Sequence, residues 1–103
     1  MTDPMRVRAL ETGGTTEVKV LMKHDMETGL RKDGAGKLVP AHYIQKVSVK
    51  HKDKEVLEAQ FGTSISKDPF LAFKFKGGVK GDKVSVTWID NLGEQRTDEV
   101  LIA

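Results

Sequence analysis

Three histidines, His24, His42 and His51, are the side chains best suited to proton or metal chemistry in this sequence, because imidazole is the group that titrates near neutral pH. None stands two or four residues from another, the spacings that set two ligands side by side on one strand or helix, and there is no cysteine to complete a site. The pattern predicts surface or loop histidines and no metal centre. Ser48, Ser64, Ser66 and Ser85 occupy no Gly-x-Ser-x-Gly turn, and a nucleophilic hydroxyl needs a base that a third group holds in place. Asp25, Glu27 and Asp33 share one segment with Arg31 and Lys32, which predicts mutual screening on a wet surface, since tuned carboxylate pairs need burial. Gly77-Gly78-Val79-Lys80-Gly81-Asp82 matches no phosphate-binding loop and precedes a strand pattern, so it reads as a hairpin turn. No catalytic residue and no cofactor is expected.

Composition narrows the function classes further. The 103 residues fit one domain. Hydrophobic residues at 38% and charged residues at 31% are a globular balance, neither disordered nor membrane-embedded. Without cysteine the chain has no disulfide, no thiolate and no nucleophilic thiol, which removes redox chemistry from its repertoire. Seventeen Lys and Arg against fifteen Asp and Glu are dispersed along the chain, so nucleic-acid binding is not expected. Phe73 and Phe75 alternate with Lys74 and Lys76, which sends the aromatic and basic side chains to opposite faces of a strand. No segment approaches the about 20 apolar residues of a membrane span. Residues 1–6 open no apolar run of the kind a secretory signal needs, so autonomous export is not expected.

The elements that would position any site are strands. Met5, Val7 and Ala9 alternate with Arg6 and Arg8, and Val18, Val20 and Met22 alternate with Lys19, Leu21 and Lys23, with Leu21 anomalous on the outer face. Between residues 24 and 40 the periodicity vanishes among Gly29, Gly34, Gly36 and Pro40. A connection of that length in a small domain is either functional or a disordered excursion. Residues 42–51 hold Tyr43, Val47 and Val49 in one phase and Ile44 in the other, the sign of a β-bulge or of a strand covered on both faces. Lys52-Asp53 reads as a two-residue turn into residues 55–61. Leu71-Phe73-Phe75, Val84-Val86-Trp88 and Val100-Leu101-Ile102 supply three more strands. The seven short strands predict an all-β, immunoglobulin-like two-sheet β-sandwich with Trp88, Val86, Phe73, Phe75, Val20 and Val49 pointing inward.

Several strands carry apolar residues at consecutive positions, as in Val20-Leu21-Met22, Trp88-Ile89 and Val100-Leu101-Ile102. A two-layer sandwich has one interior, so Leu21, Ile89 and Leu101 are candidates for a face that a partner covers, or else scattered surface apolarity.

Residues 24–33, His-Asp-Met-Glu-Thr-Gly-Leu-Arg-Lys-Asp, with Gly36-Lys37-Leu38-Val39-Pro40-Ala41-His42-Tyr43-Ile44, resemble the signature of SoxZ proteins. Ser66-Lys67-Asp68-Pro69-Phe70 with the aromatic strand, and Thr87-Trp88-Ile89-Asp90-Asn91 with Thr97-Asp98-Glu99, extend the resemblance in order along nearly the whole chain. The resemblance implies a non-catalytic, cofactor-free subunit of the SoxYZ sulfur carrier of thiosulfate oxidation. Its partner would be a SoxY-like subunit whose C-terminal Gly-Gly-Cys-Gly-Gly arm holds the sulfur. It also implies a periplasmic location reached by co-export with that partner, which bears a twin-arginine signal. Residues of the resembling segments, His24, Met26, Arg31, Pro40, His42, Ile44, Ser66, Pro69 and Phe70, are candidates for a rim or docking edge that guides the partner's arm, the alternative to contact through the three sheet-face residues. A stand-alone adhesion or scaffold module, and a small enzyme using the residue 24–42 loop, are the alternatives.

Overall fold

The computed structural model describes residues 2–103. It is built from seven strands: β1 (Arg6–Thr12), β2 (Thr15–Leu21), β3 (Ile44–His51), β4 (Lys54–Gln60), β5 (Phe70–Lys76), β6 (Lys83–Asp90) and β7 (Gln95–Leu101). A three-stranded sheet ordered β1-β2-β5 faces a four-stranded sheet ordered β4-β3-β6-β7, and every pairing is antiparallel. In the constant-type immunoglobulin arrangement the fourth strand joins the first, second and fifth. Here β4 stays beside β3, because the turn at Lys52-Asp53 folds it straight back. Both turn residues are left-handed, with φ of 50° and 68°. That is the I′ geometry whose twist suits a tight hairpin, reached without glycine.

The period-two pattern places the core as expected. Val20, Val49 and Val86 are fully buried, with Val18, Val47 and Val84 beside them, and Trp88 is 1% exposed opposite Val47. An indole of about 200 Å² removed from water at about 25 cal/mol per Å² contributes about 5 kcal/mol, which makes Trp88 the largest single anchor. Phe73 and Phe75 share the inward phase and pack against this core, but they stay half-buried, because β5 lies at the open edge of its sheet.

The irregular phase near Ile44 resolves as a bulge, since the β3–β6 register shifts between Ile44 and Lys46 and Gln45 is left exposed as the extra residue. At the C-terminal end the strand pattern stops at Leu101, and Ile102 turns inward to 3% exposure. The Ala103 amide donates to Ala9 O, and Ala103 O accepts from the Glu11 amide, so the last residues fasten β1 alongside β7.

The connection between β2 and β3 doubles back as two arms. Bridges join Glu27 to His42 and Lys32 to Leu38, and a turn at residues 33–36 forms the tip. Its base lies at the end of the sandwich where β6 turns into β7.

Candidate functional site

Three elements converge at that end of the sandwich. The residue 22–43 loop brings His24 and His42, and the 61–69 segment brings Asp68. The β6–β7 turn brings Asp90, Asn91 and Glu94. His24 and His42, 18 positions apart in sequence, stack with ring centroids 4.5 Å apart. Both Nε2 atoms lie on the same oxygen of Asp90, at 3.1 Å for His24 and 2.7 Å for His42. His24 is 7% exposed and Asp90 2%. Of the expected surface or loop histidines, His24 does sit in a loop but is a buried network residue rather than a solvated one. The third histidine, His51, lies apart and meets Asp82 at 2.8 Å.

Asp90 is saturated with donors. Its Oδ1 accepts the amides of Leu92 at 3.0 Å and Glu94 at 2.9 Å, the self-capping habit of aspartate in a turn, while Oδ2 takes the two imidazoles. Burial pushes the carboxyl up, but donation from His24, His42 and the two amides outweighs it and holds Asp90 below the usual carboxylate range. Glu94 adds a second carboxylate 3.5 Å from His42 Nε2.

The loop is held by polar pairs rather than by packing alone. His24 and Asp68 exchange bonds: the His24 amide donates to Asp68 Oδ1 at 3.1 Å, and the Asp68 amide donates to His24 O at 2.9 Å. Asn91 clamps the other arm, donating from Nδ2 to Ala41 O and accepting the Tyr43 amide at 2.8 Å. Gly29 meets this arm at φ 86°, where an added Cβ would stand 3.1 Å from the Ala41 Cβ.

His24, His42 and Asp90 offer three ligand atoms within 4.8 Å of one another, which is the spacing of a metal triad. The hydrogen bonds seen here use those atoms differently. His24 Nδ1 accepts the Met26 amide at 3.1 Å, so a neutral His24 carries its proton on Nε2, the atom that faces Asp90. A metal on that nitrogen needs the opposite tautomer, with Nδ1 protonated and donating. The triad is thus wired as two imidazole donors on one carboxylate.

Beside it lies an open cleft of about 320 Å³ whose walls include His24, His42, Trp88, Glu94, Lys23 and Asp68. Trp88 stands edge-on to the His24 ring at 5.1 Å, and its Nε1 finds no acceptor among the described residues.

The residues expected at a docking rim are dispersed by the fold. Met26, Ile44 and Pro69 are buried and present no surface to a partner. His24 and His42 belong to the Asp90 network. Arg31, Pro40 and Ser66 are exposed on loops, with Arg31 paired to Glu27 at 3.0 Å. Phe70 is 62% exposed on β5, directly opposite Leu21. Leu21 lies on the outer face of the three-stranded sheet, whereas Ile89 and Leu101 lie on the outer face of the other, at opposite ends of the β6–β7 ladder. The three do not form one patch.

Asp90, Asn91, Glu94 and Asp68 are the site residues that sequence reasoning missed. A signal for Asp90 was present: it continues the inward phase of Val84, Val86 and Trp88, so a carboxylate was directed at the core before the turn began.

Solved structures with this fold include a superoxide reductase in its oxidised state, at 16% identity and TM-score 0.67 over 96% of this chain and 86% of that one. A variant of the superoxide reductase neelaredoxin from Archaeoglobus fulgidus, in its reduced form, is similar at 19% identity and TM-score 0.63, over 99% of this chain and 87% of the other. Likeness at these identities is a likeness of fold. No curated protein sequence matches the chain. The model of the family described as sulphur oxidation protein SoxZ matches residues 5–101, nearly the whole length, and the chain therefore belongs to the SoxZ family.

Proposed function

We propose that this chain is the non-catalytic subunit of a periplasmic SoxYZ sulfur-carrier complex, in which it binds and supports a SoxY-like subunit whose C-terminal cysteine arm carries the sulfur intermediates. Membership of the SoxZ family supports a role in sulfur oxidation. The observation that carries the structural rather than catalytic reading is the saturation of Asp90. All four bonds to its two oxygens come from within the domain, and His24 is committed at both ring nitrogens. A general base needs a lone pair free to take a substrate proton, and Asp90 and His24 have committed theirs to holding the loop to β6. The sequence also contains no cysteine, so a carrier thiol has to come from elsewhere in the complex.

Co-expression with the SoxY-like subunit tests this reading. A one-to-one complex is expected on size exclusion. After incubation with thiosulfate and the pathway's enzymes, intact-mass analysis is expected to find sulfur on the partner's cysteine and none on this chain. A sulfur adduct on this chain, or two subunits that elute separately, would overturn it.

A further inference from the structure

The outer faces of the two sheets carry different charge. On the four-stranded sheet, cations and carboxylates meet across strands: Lys46 pairs with Glu58 at 3.7 Å, Lys83 with Glu99 at 3.1 Å, and Lys50 lies opposite Glu55 in the register. On the three-stranded sheet, the outward positions form rows across β1, β2 and β5. The first is Arg6, Leu21, Phe70 and the second Arg8, Lys19, Ala72. The third is Leu10, Glu17, Lys74 and the fourth Thr12, Thr15, Lys76. Glu17 is the only carboxylate in these rows, and it reaches Lys19 at 3.8 Å. Arg6, Arg8, Lys74 and Lys76 form no ion pair with any described residue. Arg8 lies directly opposite Lys19, a like-charge pairing that disfavours the isolated sheet.

One end of this basic face is apolar. Phe70 is 62% exposed beside the half-buried Leu21. A flat basic surface with a single projecting aromatic suits a protein whose acidic groups meet the cations and whose apolar pocket takes the ring. It suits single-stranded nucleic acid poorly, because base stacking needs successive aromatic side chains and Phe73 and Phe75 face inward.

We infer that the outer face of β1-β2-β5 is the docking surface for an acidic face of the protein partner, steered by Arg6, Arg8, Lys19, Lys74 and Lys76 and anchored by Phe70 with Leu21. The inference rests on the partner reading above and takes the SoxY-like subunit as the occupant. It assigns the contact to the sheet that carries Leu21 and leaves Ile89 and Leu101 outside it.

The test measures affinity of the purified full chain for the SoxY-like subunit at about 0.1 M and about 1 M NaCl, between which the screening length falls from about 10 Å to about 3 Å. The double reversal Arg8→Glu with Lys74→Glu is compared with Lys50→Glu with Lys83→Glu on the other sheet. The first pair is expected to weaken binding at least about tenfold at low salt, mainly through the association rate, with the gap narrowing at high salt. The second pair is expected to change affinity less than about twofold, as rim charges away from a contact do. Phe70→Ala is expected to weaken binding about tenfold or more at both salts. Thermal unfolding guards against misfolding: Arg8→Glu replaces a like-charge pairing with Lys19 by an opposite one while Lys74→Glu sets a carboxylate opposite Glu17, so the two offset and the double variant is expected to melt close to the wild-type temperature. If the two double reversals affect affinity equally while wild type binds, the face is wrong and the partner reading stands. If wild type does not bind the SoxY-like subunit, both fall.

Discussion

Replacing Asp90 by asparagine keeps the shape of the side chain and removes its capacity to accept on both oxygens. In the native network two imidazole N–H groups meet Oδ2 and two amide N–H groups meet Oδ1. Either orientation of the asparagine amide turns an NH2 group toward two donors. His42 can change tautomer and accept, which recovers one contact. His24 cannot do so without giving up the Met26 amide on its Nδ1. A bond between a charged and a neutral group is worth about 1.5–3 kcal/mol, and a buried donor left without an acceptor costs about 1–3 kcal/mol. Together these give an expected destabilisation of about 3–4 kcal/mol for Asp90→Asn. That is a large share of the about 5–15 kcal/mol of a typical domain and corresponds to a fall in melting temperature of about 15–25 °C. Urea unfolding at neutral pH, followed by the fluorescence of the single tryptophan, reads the change directly. The slope against urea is expected to stay constant, since the surface exposed on unfolding is unchanged. A loss below about 1 kcal/mol would refute the assignment of Asp90 as the acceptor that ties the loop to β6.

Other expectations follow from the same contacts. Gly78→Ala is expected to cost at least about 1 kcal/mol more than Gly93→Ala, because both glycines have positive φ but only at Gly78 does an added Cβ collide with Thr16 Oγ1; equal denaturation midpoints would contradict this. The Asp90, Asp98 and Asp82 carboxyls are all held below their ordinary range, the first by two imidazoles and two amides against its burial, the second chiefly by Arg96 and the third chiefly by His51. Groups with lowered folded values contribute stability above the unfolded carboxylate value of about 3.9, and this is lost as pH falls through the folded values. Acid unfolding is therefore expected below about pH 4, with a shallower pH dependence in Asp90→Asn, and a fold that gains stability on acidification would be inconsistent with these contacts. Excess Zn²⁺ at neutral pH is expected to leave the melting temperature unchanged, since the proton on His24 Nε2 faces the space a metal would occupy. A zinc-dependent rise that the double variant His24→Gln with His42→Gln abolishes would show that the tautomer assignment is wrong.

The sandwich was legible in the sequence because burial in a two-layer β fold repeats every second residue. Val18 and Val20, Val47 and Val49, and Val84 through Trp88 each declare one inward face, and even the bulge at Gln45 was announced by the misplaced phase of Ile44. Such signals are local, and a strand states its own face without reference to its partner. The network around Asp90 could not be read in this way. Its members come from two connections and the end of β6, with the two histidines 18 positions apart and His42 and Asp90 48 positions apart. No local spacing records that the loop doubles back onto the β6–β7 turn. The basic face was hidden for the same reason: the lysines and arginines look evenly dispersed along the chain, and only the pairing of β1 with β2 and β2 with β5 gathers Arg8, Lys19 and Lys74 on one side. Alternation determined which residues leave the core, and strand order decided which of them become neighbours, because cross-strand adjacency is a property of hydrogen-bonded pairing between distant segments and has no period in the sequence.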